Sequence, residues 1–431
     1  MAGRERTYIC IDLKSFYASV ECTDRGLDPF ATDLVVADPE RSANTICLAV
    51  TPSMKAKGVR NRCRVRDIPA GMEYITAVPR MRRYMEVSAE IYREYLRFVC
   101  ADDAWPYSVD ECFIDATPYL RRYGLSARAF AGRLIAAVRE RTGIAATAGI
   151  GPNLFLAKVA LDVTAKHADD GIGELDQESF RREVWFHRPI TDIWGIGPGT
   201  AQRLAQRRIF DLAGVCAERP EAIRKMFGRN GEYLLDHAWG LEPATIADCR
   251  SYVPRTRSLS NGQVLMRDYG FDEARTVVRE MVFGSCMDLA AGMLACDTVG
   301  VWAGYSGSVL RDWDGEGEPP DTWAGGQRRL GRVTSSERLI AKTVMGVFDE
   351  RVSRTAPIRR VQIALSGVVP DRMATLTLFD DPAAEERERN LARAAVAVRR
   401  RFGPNALLRA TSLMPGANAR ERNLQVGGHR A

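Results

Sequence analysis

The chain has 431 residues, of which 46% are hydrophobic and 27% charged, and a formal net charge of +6. This length predicts several domains, the lack of a long apolar run excludes a helical membrane span, and the charge permits an anionic partner. Ten scattered cysteines without a Cys-x-x-Cys pair, four histidines and a charged N-terminus disfavour a zinc site and a signal peptide, and predict a cytoplasmic protein with no membrane partner.

The first predicted strand covers residues 8–12, which read YICID, and a helix pattern starts at Ser15. Asp12 therefore lies where a strand gives way to a helix, beside free backbone groups. Its carboxylate and the carbonyl oxygen of Leu13 could bind a metal ion. Taken alone, Asp12 is equally consistent with a helix cap or a turn.

The next segment is rich in lysine. Residues 35–37 and 45–50 predict two short strands, and residues 51–59 predict a turn and a short helix that carries Lys55 and Lys57. The chain has seven lysines against 54 arginines, and five of the seven lie in its first 166 residues. Because a lysine ammonium is a compact charge that suits triphosphate, these lysines are candidate phosphate contacts. A solvated helix face is the alternative.

A pair of adjacent carboxylates follows a helix pattern. Residues 76–105 predict a helix with Met81 and Met85 facing the core, and residues 107–115 read YSVDECFID. In a plain strand Asp110 and Glu111 would point to opposite faces, so they can serve one site only where the strand ends or bends, as at a hairpin tip. A surface turn is the alternative. Together with Asp12, however, the pair completes three carboxylates that could hold two Mg²⁺ ions.

The following elements indicate the fold class. A helix at residues 126–142, a strand ending in the turn at residues 147–153 and a helix at residues 154–160 complete a strand–helix–strand–strand–helix–strand alternation. This alternation predicts an α+β fold with a ferredoxin-like sheet.

The rest of the chain first changes to short helices. Residues 192–200 read DIWGIGPGT, which has the form of a helix-hairpin-helix turn; its glycines would expose backbone N–H groups to a DNA phosphate, and a plain structural turn is the alternative. Residues 250–257 suit a basic linker. Later elements, in order, are a helix at about 272–292, a Gly-, Pro- and acid-rich loop at 312–320, a helix at about 337–353, and a charged helix at about 382–402 before a basic tail.

Two segments resemble the motifs of Y-family translesion DNA polymerases. Residues 12–21 read DLKSFYASVE and residues 108–111 read SVDE, and both are similar to the metal-binding motifs of that family. The resemblance continues in order to the last residue and is strongest to the UmuC-like branch of Gram-positive bacteria. It implies a low-fidelity DNA-directed DNA polymerase for translesion synthesis in DNA repair and the SOS response, with two Mg²⁺ ions, dNTP and primer–template DNA.

The resemblance also implies roles for individual residues. Asp12, Asp110 and Glu111 would be catalytic metal ligands, joined by the backbone of Leu13. Nucleotide contacts would be Phe16, Tyr17, Lys55 and Lys166, with Tyr17 at the position of the steric gate and Phe16 better suited to the core. DNA contacts would be Gly195, Gly197, Arg255, Arg257 and Arg332. Lys158 would support its helix or contact DNA.

The implied architecture is a right hand. The ferredoxin-like palm would comprise residues 1–23 and 76–170, the fingers 24–75, the helix-hairpin-helix thumb 171–245, a linker 246–257, an α/β little finger 258–368 and a C-terminal segment 369–431. Residues 375–381, which read TLTLFDD, resemble the motif by which bacterial polymerases bind the sliding clamp. Its apolar anchors would be Leu376, Leu378 and Phe379, and a core-packing Leu–Phe pair is the alternative.

Three other functions compete with a polymerase. A palm-type nucleotidyl cyclase uses similar carboxylates but needs no DNA-binding segments. A catalytically inactive, clamp-binding adaptor in mutagenesis would not need the three carboxylates and Lys166. A helix-hairpin-helix repair nuclease is disfavoured because the candidate catalytic acids lie outside that segment.

Overall fold

The computed structural model describes residues 6–40, 44–254, 257–312, 321–378 and 380–431. The chain divides into two compact units, residues 1–252 and 253–431. The candidate residues Arg255 and Phe379 lie outside the described residues, and so does all of the predicted loop at residues 312–320 except Asp312.

The first unit contains eight strands and twelve helices in its described residues. The strands are β1 (Tyr8–Leu13), β2 (Leu34–Val36), β3 (Ala49–Val50), β4 (Ile75–Ala77), β5 (Ala104–Pro106), β6 (Glu111–Asp115), β7 (Ala146–Gly151) and β8 (Ile172–Glu174). The helices are α1 (Phe16–Thr23), α2 (Pro52–Ala56), α3 (Met81–Tyr95), α4 (Thr117–Tyr123), α5 (Ala127–Thr142), α6 (Leu154–Val159), α7 (Gln177–Glu183), α8 (Pro198–Ala205), α9 (Leu212–Ala217), α10 (Pro220–Phe227), α11 (Arg229–Ala238) and α12 (Ile246–Ser251).

The main sheet of this unit has the order β5-β6-β1-β7-β8. Strand β1 pairs antiparallel with β6 on one side and with β7 on the other, and β8 extends the sheet parallel to β7. Taken in chain order, β1, β5, β6 and β7 lie in the order 2-3-1-4 of a ferredoxin-like sheet. The predicted α+β fold class is confirmed.

Both faces of the main sheet are covered, which explains the continuous apolar run of β1. Ile9 and Ile11 point to one face and pack in a core with Ile91 of α3 and Leu134 of α5. Tyr8 and Cys10 point to the other face and pack with Leu154 and Ala157 of α6. Because side chains alternate along a strand, Asp12 belongs to the face of α6.

A small sheet follows α1 in the chain. Strand β2 pairs antiparallel with β3 and parallel with β4, and α2 begins at Pro52 after Thr51, whose hydroxyl caps the helix. Val35, Val50 and Met54 form a separate small core here. The strand predicted at residues 45–50 is shorter than expected, since regular pairing is confined to β3 and Ile46 makes only a single bridge to Arg64.

The helix predicted within residues 76–105 is also shorter, because β4 occupies its predicted start and Pro79 precedes α3. Met85 was expected to face the core, but 53% of it is exposed. The remaining helices of this unit surround a further core that contains Phe180, Leu204 and Ile223.

The second unit has the strands β9 (Leu259–Tyr269), β10 (Leu294–Tyr305), β11 (Trp323–Thr334), β12 (Ile358–Ser366), β13 (Val369–Pro370), β14 (Gln425–Val426) and β15 (His429–Arg430). Its helices are α13 (Phe271–Gly292), α14 (Ser308–Arg311), α15 (Glu337–Arg351), α16 (Pro382–Phe402) and α17 (Ala419–Arg422). The sheet order is β11-β10-β12-β9, and Val278 of α13 and Val344 of α15 pack in its core. The helix predicted at about residues 382–402 is confirmed as α16.

The C-terminal tail is part of the second unit. The carboxylate of Glu280, which is buried in α13, accepts hydrogen bonds from the backbone N–H groups of Asn418 (2.9 Å) and Ala419 (3.1 Å). Across the described ranges of both units, no helix combines the length and apolar character that crossing a membrane requires.

Candidate active site

The three predicted carboxylates meet at one end of the main sheet. In the pairing of β1 with β6, Asp12 lies directly opposite Glu111. Asp110 lies in the hairpin turn before β6, and its carbonyl oxygen accepts a hydrogen bond from the Leu13 backbone N–H at 3.0 Å. The expected hairpin tip therefore exists, and it brings the carboxylates of two distant segments together.

The pKa of Asp12 reflects both its burial and its acidic neighbours. Burial, followed by the negative charges of Asp110 and Glu111, raises the pKa of Asp12 to about 7. Since like charges at short range oppose ionisation, this shift shows that the three carboxylates share one local field.

Lys158 supplies a positive charge beside these carboxylates. Its ammonium group lies 2.8 Å from Glu111 Oε1 and 2.7 Å from Asp162 Oδ1, and only 5% of the residue is exposed. Burial favours the neutral amine, but the ion pairs with Asp162 and Glu111 raise the pKa of Lys158 above its usual value. A DNA contact is thereby excluded for Lys158, which neutralises Glu111 instead.

The position of Lys158 depends on close packing of α6 against the sheet. A Cβ atom at Gly149 of β7 would collide with the backbone of Ala157 and Leu161. After α6 the chain makes one π-helical turn, Ala160–Thr164, which carries Asp162. The spacing of Lys158 and Asp162, four residues apart on a helix, is the sequence signal that could have indicated this pair.

The acidic residues fit hard divalent cations, although they are not yet gathered around a single point. Within the described part of the chain, no three His, Cys, Asp or Glu side chains converge closely enough to hold a metal ion. Glu111 is held by Lys158, and Asp110 Oδ1 accepts a hydrogen bond from Ser108 Oγ at 2.7 Å. Burial first, and the negative charges of Asp110 and Glu111 second, raise the pKa of Asp12, and a bound cation with oxygen ligands would offset both effects.

The pKa of Asp12 predicts a pH dependence of stability. The pKa of Asp12 is about 7 in the folded state, against an ordinary value of 3.8. Between these two pH values the Asp12 carboxyl group is therefore protonated in the folded state and ionised in the unfolded state. This contribution to the free energy of unfolding is complete below pH 3.8 and is lost as the pH rises through about 7. We expect urea midpoints of metal-free protein to fall over this range relative to those of Asp12→Asn. A pH-independent difference between the two proteins would contradict this coupling.

Two predicted phosphate-binding lysines lie near the carboxylates. Burial lowers the pKa of Lys55. The negative charge of Asp12 raises this pKa and the positive charge of Lys166 lowers it, so the Lys55 ammonium group interacts electrostatically with both side chains. Lys57, on the same helix as Lys55, is instead paired with the carboxylate of Asp33. The structure thus places the two lysines of α2 in different surroundings, and only the resemblance to the family had distinguished them.

Tyr17 and Phe16 occupy different environments. The Tyr17 ring is partly exposed, and the negative charge of Asp110 contributes to its raised pKa after the larger effect of burial. Phe16 is only 2% exposed and packs in the core behind the main sheet. This burial agrees with the expectation that Phe16 suits the core, and it argues against a nucleotide contact by the Phe16 side chain.

The predicted helix-hairpin-helix turn lies close to the acidic hairpin. Gly195 has φ +87°, which favours glycine, and apart from the adjoining residues no other part of the described structure lies within 4 Å of where a Cβ atom would stand at Gly195 or Gly197. Trp194 lies beside this turn, and its indole N–H donates to the hydroxyl of Tyr107 at 3.2 Å. Because Tyr107 precedes Asp110 in the hairpin, the two segments are held together.

The candidate DNA contacts of the second unit differ in accessibility. Arg257 is exposed. The Arg332 side chain is 7% exposed and pairs with Asp380 (3.2 Å) and Glu385 (2.8 Å). This pairing argues against the expected phosphate contact of Arg332, because the guanidinium is already neutralised within the protein.

The clamp-like segment is tied to the end of β11. The Thr375 backbone N–H donates to the carbonyl oxygen of Val333 (2.9 Å), and the Thr375 hydroxyl accepts from the Val333 N–H (3.2 Å). Beyond this attachment 47% of Leu376 is exposed, and Leu378 is fully exposed. Two of the three predicted anchors are thus presented to solvent rather than packed in a core.

Comparisons with known proteins agree with this geometry. The impB/mucB/samB family model matches residues 11–162, and the model of that family's C-terminal domain matches residues 256–378. A relative from Bacillus subtilis (strain 168) named DNA polymerase IV 2 is 30% identical over 99% of each chain. A relative from Pelotomaculum thermopropionicum named DNA polymerase IV is 29% identical over 95% of this chain and 96% of its own.

A solved structure shows the same fold. It is named Y-family DNA polymerase chimera Dbh-Dpo4(243-245)-Dbh, and it is 18% identical to this chain with a TM-score of 0.62. The likeness covers 84% of this chain and 99% of the solved one.

Proposed function

The chain belongs to the impB/mucB/samB family of Y-family polymerases, and from this premise we propose that it is a DNA-directed DNA polymerase that performs translesion synthesis. The observation that carries the proposal is the meeting of Asp12, Asp110 and Glu111 at one end of a ferredoxin-like sheet. The adaptor alternative is not favoured, because an inactive protein needs neither these carboxylates nor the lysines beside them.

The reaction would be transfer of a nucleotide from dNTP to a primer 3′-hydroxyl. Asp12, Asp110, Glu111 and the Leu13 carbonyl would hold two Mg²⁺ ions. When bound, such ions lower the pKa of the primer hydroxyl and neutralise the departing pyrophosphate. Lys158 orients Glu111 through their ion pair, and Lys55 and Lys166 would add positive charge at the triphosphate.

Tyr17 would select the sugar. Its ring is held beside Asp110, where it would lie beneath the sugar of the incoming nucleotide and exclude a ribose 2′-hydroxyl. Gly195 and Gly197 would bind a DNA phosphate through the backbone, and Arg257 would add a contact from the second unit. We propose the palm, fingers, thumb and little-finger boundaries given above. The division of the chain between residues 252 and 253 falls within the proposed linker, whose first residues form helix α12 (Ile246–Ser251).

The basic experiment is extension of a labelled primer on an undamaged template with each dNTP in turn. Template-directed incorporation that stops with a chelator supports the proposal. Incorporation independent of the template, or cyclisation of a nucleoside triphosphate, would contradict it.

All ten cysteines are free thiols, which suits the reducing cytoplasm that we propose as the compartment.

The exposed Leu376 and Leu378 support a bacterial sliding clamp as a further partner. We expect Leu376→Ala/Leu378→Ala to weaken clamp binding by about tenfold, because apolar anchors carry much of the energy of such interfaces. Leu391→Ala, which truncates another exposed leucine of the same unit, is the matched control. Clamp binding should be measured alongside synthesis without the clamp, which should stay unchanged. Equal clamp binding by both variants would exclude this segment as the docking site.

A further inference from the structure

The proposed sugar-selecting residue rests on a second tyrosine. The rings of Tyr17 and Tyr84 are stacked, with centroids 4.4 Å apart and planes inclined by 16°. Tyr84 belongs to the first turns of α3 and is completely buried. Tyr17 is therefore supported from behind by a ring that has no free space to move into.

The hydroxyl of Tyr84 is fixed by a buried carboxylate. It donates a hydrogen bond of 2.7 Å to Glu21 Oε1, and Glu21 is itself fully buried. Glu21 lies one helical turn after Tyr17 on α1, so Tyr84 contacts both residues on one face of that helix. Burial alone would raise the pKa of Glu21, but hydrogen bonds from Arg80, Arg25 and Tyr84 lower it, so the carboxylate is charged and can hold its donors.

Arginines connect this carboxylate to the start of α3. Arg80 donates to Glu21 Oε1 at 2.9 Å and to Asp24 Oδ2 at 2.8 Å, and Arg83 binds both oxygens of Asp24 at 3.0 and 2.8 Å. Since Arg80 and Arg83 flank the start of α3, these contacts fix the distance between α1 and α3. The Tyr17–Tyr84 stack lies between these two helices.

We propose that Tyr84 is a positioning residue for sugar selection, which holds the Tyr17 ring against a ribose 2′-hydroxyl through its stacked ring and its hydroxyl contact to Glu21. The inference rests on the proposed role of Tyr17. An excluding side chain rejects a larger sugar only if it cannot retreat. With Tyr84 locked by Glu21 and Arg80, retreat of Tyr17 would require displacement of a packed ring and a buried charge network.

Single-nucleotide kinetics with dNTP and rNTP test this inference. The measured quantity is the ratio of kcat/KM for dNTP to kcat/KM for the matching rNTP. Tyr84→Leu removes the supporting ring and should lower the ratio by about fivefold, mainly through faster use of rNTP. Tyr84→Phe keeps the ring but loses the contact to Glu21, so its ratio should fall less. This milder variant also tests the inference if Tyr84→Leu does not fold.

The matched control is Tyr119→Leu. Tyr119 is another buried tyrosine of the same core and stacks on Phe130. A general loss of packing would change both tyrosine variants alike, whereas a positioning role changes the ratio only at Tyr84. Equal ratios for Tyr84→Leu and Tyr119→Leu would overturn the inference.

A double-mutant cycle separates this inference from the function on which it rests. Tyr17→Ala should lower the ratio by about tenfold, and adding Tyr84→Leu should lower it no further, since both changes remove the same obstacle. Additive losses would show that Tyr84 acts independently of Tyr17 and would overturn the inference. An unchanged ratio in Tyr17→Ala would instead refute the role proposed for Tyr17, and the inference with it.

Discussion

The double substitution Asp110→Ala/Glu111→Ala is expected to lower kcat for primer extension by at least about a thousandfold. Glu111 lies opposite Asp12 and Asp110 lies in the adjoining hairpin turn, and burial together with the charges of these two residues raises the pKa of Asp12 to about 7. Removing both carboxylates leaves Asp12 as the last of the three that would hold divalent cations. Glu111 is also the partner of the buried Lys158, whose positive charge would then repel a cation.

Three measurements separate this loss from a loss of folding. Kinetics of extension give kcat, binding of Mn²⁺ reports the metal site directly, and thermal unfolding reports the fold. Asp102→Ala is the matched control, because Asp102 is an exposed carboxylate just before β5 of the same hairpin. Full activity of the double variant would refute the assignment of these carboxylates. Normal Mn²⁺ binding with no activity would place the cation elsewhere.

Substitution of Lys55 by methionine is expected to raise KM for dNTP by about tenfold to a hundredfold, as expected for loss of a charge-assisted contact to phosphate. Lys55 interacts electrostatically with Asp12 and Lys166, whereas Lys57, two residues later, forms an ion pair with Asp33. The capping of α2 by Thr51, with Pro52 in its first turn, fixes which face of the helix carries Lys55.

Lys57→Met is the matched control for Lys55→Met, since it removes the same charge from the same short helix. Steady-state incorporation of one nucleotide, with dNTP concentration varied, gives KM and kcat for both variants. A rise in KM confined to Lys55→Met supports a triphosphate contact. An equal rise in both variants would show that only the general charge of α2 matters.

The sequence was most informative where local pattern and chemistry coincide. The apolar run of residues 8–12 predicted a buried strand, and the impossibility of two adjacent carboxylates sharing one face of a strand predicted the hairpin tip. Strand pairing, which brings Asp12 opposite Glu111, depends on residues about a hundred positions apart. The alternation of strands and helices suggested the sheet, and the resemblance to a family supported the grouping of these carboxylates.

Contacts between distant charged residues could not be predicted in the same way. Arg332 was expected at DNA from the resemblance of its segment to the little-finger domain of the family, but its partners Asp380 and Glu385 belong to a later segment that folds back on β11. Lys158 was expected to support its helix or contact DNA. It does pair with Asp162 four residues later, but it also pairs with Glu111, a contact that the sequence did not indicate. A sequence displays the charge of such residues but not which opposite charge they meet.

The stacking of Tyr84 on Tyr17 could not be predicted from the sequence either. Tyr84 is one of several aromatic residues in a helix pattern, and nothing in that pattern distinguishes it from Tyr95 or Tyr92. Its distinction is tertiary, because only the packing of α3 on α1 brings its ring to Tyr17 and its hydroxyl to Glu21.

Extension of a primer across a template abasic site, with Mg²⁺ and all four dNTPs, tests the central claim most directly. A translesion polymerase should extend the primer past the lesion, and Asp110→Ala/Glu111→Ala should extend neither the damaged nor the undamaged template. Extension on undamaged DNA that always stops before the abasic site, with and without a sliding clamp, would contradict the claim of lesion bypass.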